Sequence, residues 1–416
     1  MNAELIDTQD TLTAESATAV CPAGVDYTVE GIRAAVSPIL RRLNVSASQR
    51  ELARDYAFDD VRALAEQRIT LVGIAKEDGG AGGSLRDVTD LVLAIARADS
   101  NVAQALRGSF LIANRVASLR DLPNRAVILR RLRNGDLFAG TANERTGGAS
   151  GSVNTTIRRA GDGYVINGEK YYSTGGLYAS WFSGSASDED GTVLGFTVPV
   201  DREGVQRLDD FDAVGQRLTA SGTTRLVNVR VGEDEIVARD NAQLDSPWLG
   251  SFAQLYLAAV EAGISAAVLD DAIWFARKKA RPIKHSTAGK SVEDPYVRET
   301  VGEIAARAQA ARAAVVLAAE TLEGVRGLTG PAARAAGAAA AVTVAQTGVI
   351  AIESALRAAE LLFDVGGGSI TNRDLGFDRH WRNARTVANH NPRQWKAAVA
   401  GAYHLTGEEP PTTGLF

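Results

Sequence analysis

The stretch GEKYYSTGG, residues 168–176, carries the most informative local pattern in the chain. Two aromatic residues end a predicted strand, and hydroxyl side chains and glycines follow them directly. Aromatic rings can wall a planar ligand, and a hydroxyl group can form a hydrogen bond with a ring nitrogen of that ligand. An ordinary strand end can have the same composition, so residues 168–176 alone leave both interpretations open.

Around this stretch, apolar periodicity divides the 416-residue chain into a helical part, a strand part and a second helical part. Residues 27–133 follow the i, i+3, i+4 spacing of helices, and Ser84 is predicted to cap a helix after a glycine-rich turn. Residues 137–237 have the pattern of strands, and the Asn-Gly dipeptide at 167–168 predicts a hairpin turn. Residues 247–401 return to helical spacing, with glycine and proline stops between the helices.

We therefore predict a multidomain α+β fold in which a central β-barrel or β-sandwich separates two helical domains. The predicted domains are an N-terminal helical domain at 1–135, of which 1–26 is expected to be flexible, a central β domain at 136–240, and a C-terminal four-helix bundle at 241–416. Within the last domain, long helices are predicted at 249–279, 297–325 and 331–363, and shorter ones at 379–389 and after Pro392.

Composition and charge exclude several classes of protein. The net charge of −5 argues against a general nucleic-acid binder or a polybasic membrane anchor. Cys21 is the only cysteine, so intramolecular disulfides, iron–sulfur clusters and cysteine-based zinc sites are excluded. Neither a Rossmann glycine fingerprint nor a P-loop is present. No metal site is expected, because zinc-motif spacing is missing among the four histidines, His285, His380, His390 and His404.

The uncharged run at 335–352 is long enough to raise the question of a membrane span. It is rich in alanine and glycine, which drive insertion weakly, and it contains Gln346. We predict a close-packed buried helix there. Residues 1–18 lack the basic start and apolar core of a signal peptide, so a cytoplasmic protein with no membrane partner is expected.

Two further polar segments each allow a structural and a functional interpretation. The glycine-rich segment at 140–152, which contains Asn143, is either a surface loop or a set of N–H groups that bind an oxygen-rich ligand. The basic cluster at 277–284, which contains Arg281, either compensates the dipole of the preceding helix or binds a phosphate group.

Four motifs, in this order, resemble those of the acyl-CoA dehydrogenase superfamily. They are EDGGAG at 77–82, KYYSTG at 170–175, GQRLTASGT at 215–223 and FDVGGG at 363–368. In that superfamily the first, third and fourth are turns, and the second is the flavin-binding strand. The resemblance covers the chain from residue 45 onward and implies the helical, β and helical architecture predicted above.

The resemblance also implies a set of flavin-binding residues. An aromatic residue would line the flavin and a threonine would bond its N5 atom, and these roles fall to Tyr172 and Thr174. Arg281 would clamp the flavin phosphate in an adjacent subunit. The complete set of implied cofactor-binding residues is Asn143, Tyr172, Ser173, Thr174, Arg281 and, in the turn that approaches a neighbouring subunit's flavin, Gly366 and Gly367.

The C-terminal segment is similar to one branch of that superfamily. The runs DRHWRNART at 378–386 and NHNP at 389–392 resemble group D flavin-dependent monooxygenases of the dibenzothiophene monooxygenase type. In the dehydrogenases, a carboxylate removes the α-proton of the substrate. In this chain, Asn391 occupies the position where that carboxylate most often lies, and Ala253 lies near the alternative position of the carboxylate. Neither side chain accepts a proton near neutral pH, so neither position provides a general base that could remove the α-proton.

His390 and Asn391 are the predicted catalytic residues. In this branch, reduced flavin and O₂ form a C4a-hydroperoxide, which needs a dry and preorganised pocket. An imidazole at His390 that titrates near neutrality would move a proton to the peroxide, and the alternative is a structural contact before Pro392. Related enzymes have a second histidine where this chain has Val387. They also often carry histidine and tyrosine in the helix at 102–110, where this chain reads VAQALRGSF.

The resemblance therefore implies a two-component flavin-dependent monooxygenase. It would use FMNH₂ or FADH₂ from a separate NAD(P)H-dependent flavin reductase and insert one oxygen atom of O₂ into a small hydrophobic or aromatic substrate, at sulfur, nitrogen or carbon. A homotetramer is expected, with no nucleic-acid partner. Two alternatives stay open: an acyl-CoA dehydrogenase or oxidase with its base elsewhere, and a non-catalytic helical assembly protein that has lost flavin.

Overall fold

A computed structural model of the chain describes residues 27–122, 124–145, 153–237, 247–414 and 416. The segment 1–26, predicted to be flexible, and residues 146–152 of the predicted polar loop lie outside this part of the chain. Helices come first, strands follow, and helices end the described chain. The predicted α+β architecture is confirmed, whereas the domain boundaries near 135 and 240 stay predictions.

The N-terminal part contains six α-helices among the residues that the structure describes. They are α1 (Val29–Ala53), α2 (Phe58–Glu66), α3 (Leu85–Ala98), α4 (Ser100–Ala105), α5 (Arg107–Ser118) and α6 (Arg125–Asn134). The hydroxyl of Thr28 accepts a hydrogen bond from the backbone N–H of Gly31 at 3.0 Å, and Ser84 and Asp87 form a capping box. Such caps satisfy N–H groups that the first turn of a helix leaves unpaired. The prediction that Ser84 caps a helix is confirmed.

Eight strands of the described chain pair into one sheet. They are β1 (Phe138–Thr141), β2 (Thr156–Ala160), β3 (Gly163–Lys170), β4 (Trp181–Ser187), β5 (Val193–Pro199), β6 (Val205–Arg207), β7 (Thr224–Gly232) and β8 (Ile236–Val237). The strand order is β6-β7-β3-β2-β4-β5-β8, and β1 pairs with β4 in parallel. The side chains between the strands form a separate core around Phe182, Phe196 and Val198.

The Asn-Gly dipeptide at 167–168 lies inside β3, so the predicted hairpin turn at this position is wrong. The register between β3 and β7 shifts between Ile166 and Gly168. The side-chain oxygen of Asn167 accepts a hydrogen bond from the backbone N–H of Asn228 at 2.8 Å. Pairing with β7 therefore turns the dipeptide into an irregularity within a strand, and β2 and β3 reverse at residues 161–162 instead.

From residue 247 onward, the described chain contains three long and two shorter α-helices. They are α7 (Pro247–Lys278), α8 (Pro295–Glu323), α9 (Gly330–Leu361), α10 (Asp378–Ala388) and α11 (Arg393–Thr406). The ends of α7 to α10 lie within two residues of the predicted ends. Short 3₁₀ segments at Leu362–Val365, Gly368–Thr371 and Arg373–Leu375 connect α9 to α10. A single hydrophobic core joins these helices to the N-terminal ones, because α3 packs along α7.

Among the described residues, two helices, Trp248–Lys278 and Gly330–Val365, are long and apolar enough to cross a membrane by length and composition. A core helix of a soluble protein passes the same test. Their most apolar windows are 78% and 61% buried inside the protein. The predicted close-packed helix lies in the second of them, where Ala340, Ala345 and Ala351 are fully buried. Burial inside the protein accounts for this apolar composition.

Candidate active site

A cavity of about 490 Å³ lies where the sheet meets the helices, and its volume is in the usual range for small-molecule sites. The segment after β3 and the loop between β6 and β7 form one wall, and α4 and the end of α10 form the other. Four predicted site residues line this cavity, namely Asn143, Tyr172, Thr174 and His390. The tertiary structure therefore brings together residues that are up to 247 positions apart in the sequence.

Tyr172 presents its ring to the cavity from an unusual backbone conformation. Its φ is +58°, in a region that non-glycine residues seldom adopt, and the residue is 55% exposed. The ring contacts Tyr171 edge-on at 4.5 Å between centroids and lies 6.4 Å from Phe211. Such a conformation costs on the order of 1–3 kcal/mol and persists where the surrounding structure enforces it, often at functional sites. An aromatic ring held in this way is a suitable wall for a planar ligand.

Thr174 forms a contact within this wall, and Gly175 sets the wall against the helical side. The Thr174 hydroxyl lies 2.8 Å from the hydroxyl of Ser221. Gly175 has a φ of +84°, and a Cβ there would lie 2.3 Å from the carbonyl oxygen of Ala105. Only glycine allows this close approach, which sets the strand end against α4 and its cavity-lining residue Gln104.

A buried ion pair supports the loop that carries Asn143. Glu144 and Lys170 are 2.6 Å apart, and their side chains are 3% and 0% exposed. Burial raises the pKa of Glu144, but hydrogen bonds from Lys170 and from the backbone and hydroxyl of Thr155 outweigh it, and the pKa falls to about 2. The carbonyl of Asn143 accepts a hydrogen bond from the N–H of Tyr171 at 2.8 Å. The pair therefore fixes the Asn143 loop against the end of β3.

His390 lies on the helical side of the cavity. Its Nδ1 is 2.8 Å from Oδ1 of Asn391, and its Nε2 is 3.4 Å from Nη1 of Arg107. An amide oxygen only accepts and a guanidinium only donates, so Nδ1 carries the hydrogen and Nε2 is the acceptor. Asn391 is absent from the cavity wall and acts on His390, so the structure makes it a positioning residue.

The protonation state of His390 differs from the sequence-based expectation. The residue lines the cavity and is exposed there. Burial, and after it the charge of Arg107, lower the pKa of His390 to about 4. We predicted an imidazole that titrates near neutrality, and the structure instead indicates a neutral imidazole at pH 7.

Two glutamines that sequence reasoning did not assign also line the cavity. The side-chain oxygens of Gln104 and Gln216 are buried and have no hydrogen-bond partner in the described part of the chain. Buried polar atoms seldom stay unpaired, so a ligand with N–H or O–H groups would satisfy them. Asn383 of α10 holds this loop, because its Oδ1 accepts from the backbone N–H of Gln216 at 2.6 Å and its Nδ2 donates to Ser100 at 3.1 Å.

The carboxylates on the cavity wall are Glu144 and Asp212. Glu144 is held in its ion pair, and Asp212 is exposed to solvent. Ala253 lies in α7 and is absent from the cavity wall, and so is the buried Glu261 of the same helix, whose pKa burial raises well above its ordinary value. The described residues contain no cluster of three or more His, Cys, Asp or Glu side chains placed to hold a metal ion.

Four predicted cofactor residues do not line the cavity of their own chain: Ser173, Arg281, Gly366 and Gly367. Ser173 is 2% exposed, and its hydroxyl bonds to other buried hydroxyls beneath the strand end. Arg281 is exposed beyond the end of α7. The flavin contact of Ser173, and the contacts of the other three with a neighbouring subunit, stay predictions.

Comparisons with known proteins agree with this geometry. A family model, the C-terminal domain of acyl-CoA dehydrogenases, matches residues 255–395. The chain is 29% identical over 386 residues to dibenzothiophene monooxygenase of Mycolicibacterium goodii, which covers 89% of this chain and 93% of that protein. It is 28% identical over 357 residues to the probable FMNH₂-dependent monooxygenase SfnC of Pseudomonas putida, with 84% and 88% covered.

The fold matches solved structures over nearly its whole length. The crystal structure of TdsC from Paenibacillus sp. A11-2 with FMN and indole superimposes with a TM-score of 0.84. It is 24% identical and covers 92% of this chain and 99% of that chain. Together, these findings show that residues 255–395 match the C-terminal domain of acyl-CoA dehydrogenases, that the chain has the fold of TdsC, and that its named relatives include dibenzothiophene monooxygenase and a probable FMNH₂-dependent monooxygenase.

Proposed function

We propose that the chain is a two-component monooxygenase that uses reduced flavin, FMN or FAD, and O₂ to oxygenate a small hydrophobic or aromatic substrate. One observation carries this proposal: Tyr172 and Thr174 share a cavity with a neutral His390, and an amide stands at position 391. The relatives support it, because SfnC is named FMNH₂-dependent and TdsC was crystallised with FMN. FMN is therefore the first cofactor to test.

The described residues fit a flavin ring. Tyr172 offers an exposed aromatic face, and Thr174 offers a hydroxyl beside Ser221. The unpaired side-chain oxygens of Gln104 and Gln216 would accept hydrogen bonds from ring N–H groups. Reduced flavin, when bound, supplies the electrons with which O₂ is activated.

His390 and Arg107 have different roles in hydrogen bonding: the first accepts and the second donates. With a pKa of about 4, His390 accepts hydrogen bonds at Nε2 but does not retain a proton at neutral pH. Arg107 is the donor beside it, and burial lowers the pKa of its guanidinium to about 10, so it stays protonated. At this side of the cavity, Arg107 therefore donates to the acceptor nitrogen of a neutral imidazole.

The proposal includes two partners. A separate NAD(P)H-dependent reductase would supply the reduced flavin, and the lack of a Rossmann fingerprint or P-loop in this sequence supports that division. A homotetramer would bring Arg281, Gly366 and Gly367 of one subunit to the flavin of another, which agrees with their absence from their own cavity. We also propose that the protein works in the cytoplasm.

Rapid mixing of the anaerobic FMNH₂ complex with O₂ tests the function. We expect an absorbance transient distinct from both reduced and oxidised flavin, and a shorter-lived transient in Thr174→Val. Thr174→Ser, which keeps the hydroxyl, is the matched control and should resemble the wild type. Direct formation of oxidised flavin at the rate of free FMNH₂ would contradict the proposal. Failure to bind FMN or FAD in any redox state would point to a non-catalytic protein.

An acyl-CoA dehydrogenase is the second candidate, because Asp212 is a carboxylate on the cavity wall. Removal of an α-proton works best where water is excluded, and Asp212 is exposed, so we favour the monooxygenase. Bleaching of bound oxidised FAD by an acyl-CoA without O₂, and its loss in Asp212→Asn, would favour the dehydrogenase.

A further inference from the structure

Arg107 is a cation beside the candidate active site, and no acidic side chain of the described residues pairs with it. It begins α5, and its Nη1 lies 3.4 Å from the Nε2 of His390, which lines the cavity. Its Nε is buried and has no hydrogen-bond partner among the residues that the structure describes. In the described part of the chain, Tyr256 is the group whose charge acts on its pKa, and no Asp or Glu does. The guanidinium therefore has unused hydrogen-bonding capacity.

A second buried cation, Lys396 of α11, lies close enough to Arg107 to interact with it electrostatically. Lys396 is 3% exposed, and its Nζ donates to the side-chain oxygen of Gln254 at 2.7 Å and to the backbone oxygen of Phe416 at 2.6 Å. Burial, and then the charge of Arg107, lower the pKa of Lys396 to about 8. Both cations stay largely protonated at neutral pH, so the His390 side of the cavity is positively charged.

Buried charges are unfavourable unless an opposite charge or enough hydrogen bonds compensate them. The described groups that contact these two cations are an imidazole, an amide oxygen and a backbone oxygen. A guanidinium presents a planar fork of donors, and a planar group with two oxygens and a negative charge complements that fork. An anion bound at Arg107 would therefore supply the compensating negative charge that the described residues do not provide.

We infer that the cavity binds a small organic anion, whose carboxylate or sulfinate group pairs with Arg107 while its apolar remainder lies against Tyr172 and Phe211. This inference rests on the proposed function, because it names the substrate class of the same site. It makes Arg107 a specificity-determining residue. Arg107 lies within the segment 102–110, where the sequence departs from related enzymes, and it begins α5.

A cation on the cavity wall itself, unlike Arg107, which lies behind His390, offers a matched control. Arg145 lies on the sheet side, where its guanidinium carbon is 3.1 Å from the ring centroid of Tyr171. It is exposed to solvent, and the aromatic face already stabilises its charge. Loss of Arg145 would therefore change the net charge as loss of Arg107 does, without removing the buried and unpaired group.

The test compares benzoate with benzamide, two probes of nearly the same shape that differ in charge. Isothermal titration calorimetry would give both Kd values for the whole protein, without flavin and with FMN. We expect wild-type protein to prefer benzoate by about tenfold or more, the size of one charge-assisted contact. Arg107→Gln should lose this preference, Arg107→Lys should keep part of it, and Arg145→Gln should keep most of it.

Three results would overturn the inference. They are equal affinity of the wild type for both probes, a preference that survives Arg107→Gln, and a preference lost in Arg145→Gln alone. A loss of reduced-FMN affinity in Arg107→Gln with an unchanged benzoate preference would assign the arginine to the flavin instead. The proposed function fails separately: a protein that binds benzoate through Arg107 but no flavin would refute the monooxygenase and leave the anion site standing.

Discussion

Replacement of Lys170 tests the buried ion pair that supports the cavity wall. Glu144 and Lys170 lie 2.6 Å apart with side chains 3% and 0% exposed. We therefore treat it as a buried ion pair. A surface ion pair contributes only about 0–1 kcal/mol to stability. Lys170→Met leaves the carboxylate buried without its cation, which costs roughly 3–5 kcal/mol. We expect the free energy of unfolding, measured in urea at pH 7 by circular dichroism, to fall by this amount.

The same pair predicts a dependence of stability on pH. The pKa of Glu144 falls from 4.5 to about 2 in the folded protein. A carboxyl group with a lowered pKa stabilises the fold above its unfolded pKa, and this stabilisation is lost as the pH falls through the folded value. Wild-type protein should therefore lose this contribution between pH 4.5 and about 2. Lys170→Met should lose less over this range, because it lacks the main hydrogen bond that lowers the pKa.

A double variant, Glu144→Gln with Lys170→Met, is the matched control. It removes both charges, so it should be more stable than Lys170→Met alone. A loss of less than about 1 kcal/mol in Lys170→Met would place the pair among surface interactions. That result, or a double variant no more stable than the single one, would refute the reasoning.

Three further predictions concern the cavity walls. Gly175→Ala forces a Cβ to within 2.3 Å of the carbonyl oxygen of Ala105 at a φ of +84°, so we expect at least about 2 kcal/mol lower stability and a higher Kd for FMN in fluorescence titration. His390 should stay neutral in ¹³C-histidine NMR from about pH 8 down to about pH 5.5, with His390→Asn for assignment, and a midpoint above about 6 would contradict the lowered pKa. Asn383→Ala removes the amide that holds the Gln216 backbone, so a loss of about 1–3 kcal/mol is expected, and an unchanged melting temperature would argue against this role.

The helices were predictable because their signals are local. Apolar spacing, alanine-rich runs and glycine or proline stops lie within each helix, so α7, α8 and α9 were predicted to within two residues. The hairpin turn predicted from the Asn-Gly dipeptide at 167–168 is wrong because contacts distant in sequence decide its conformation. Its preference for a turn is local, but pairing of β3 with β7 and the hydrogen bond to Asn228 outweigh that preference.

The candidate site was predictable only where it is contiguous. Tyr172 and Thr174 share one short motif, which the sequence shows directly. Arg107 and His390 are separated by 283 positions, and no local pattern indicates that a guanidinium faces that imidazole. Gln104 and Gln216 were missed for the same reason, since their unpaired oxygens are a property of the assembled cavity.

The amino-acid sequence by itself determined the order of helices and strands, the flavin-type motif after β3 and the amide at position 391. The tertiary structure alone decided the charge of the site. Proton affinity depends on burial and on neighbouring charges, and both arise only when distant segments pack together. For that reason His390, expected to change its protonation state near pH 7, is uncharged at that pH. Arg107, from another helix, supplies the positive charge beside it.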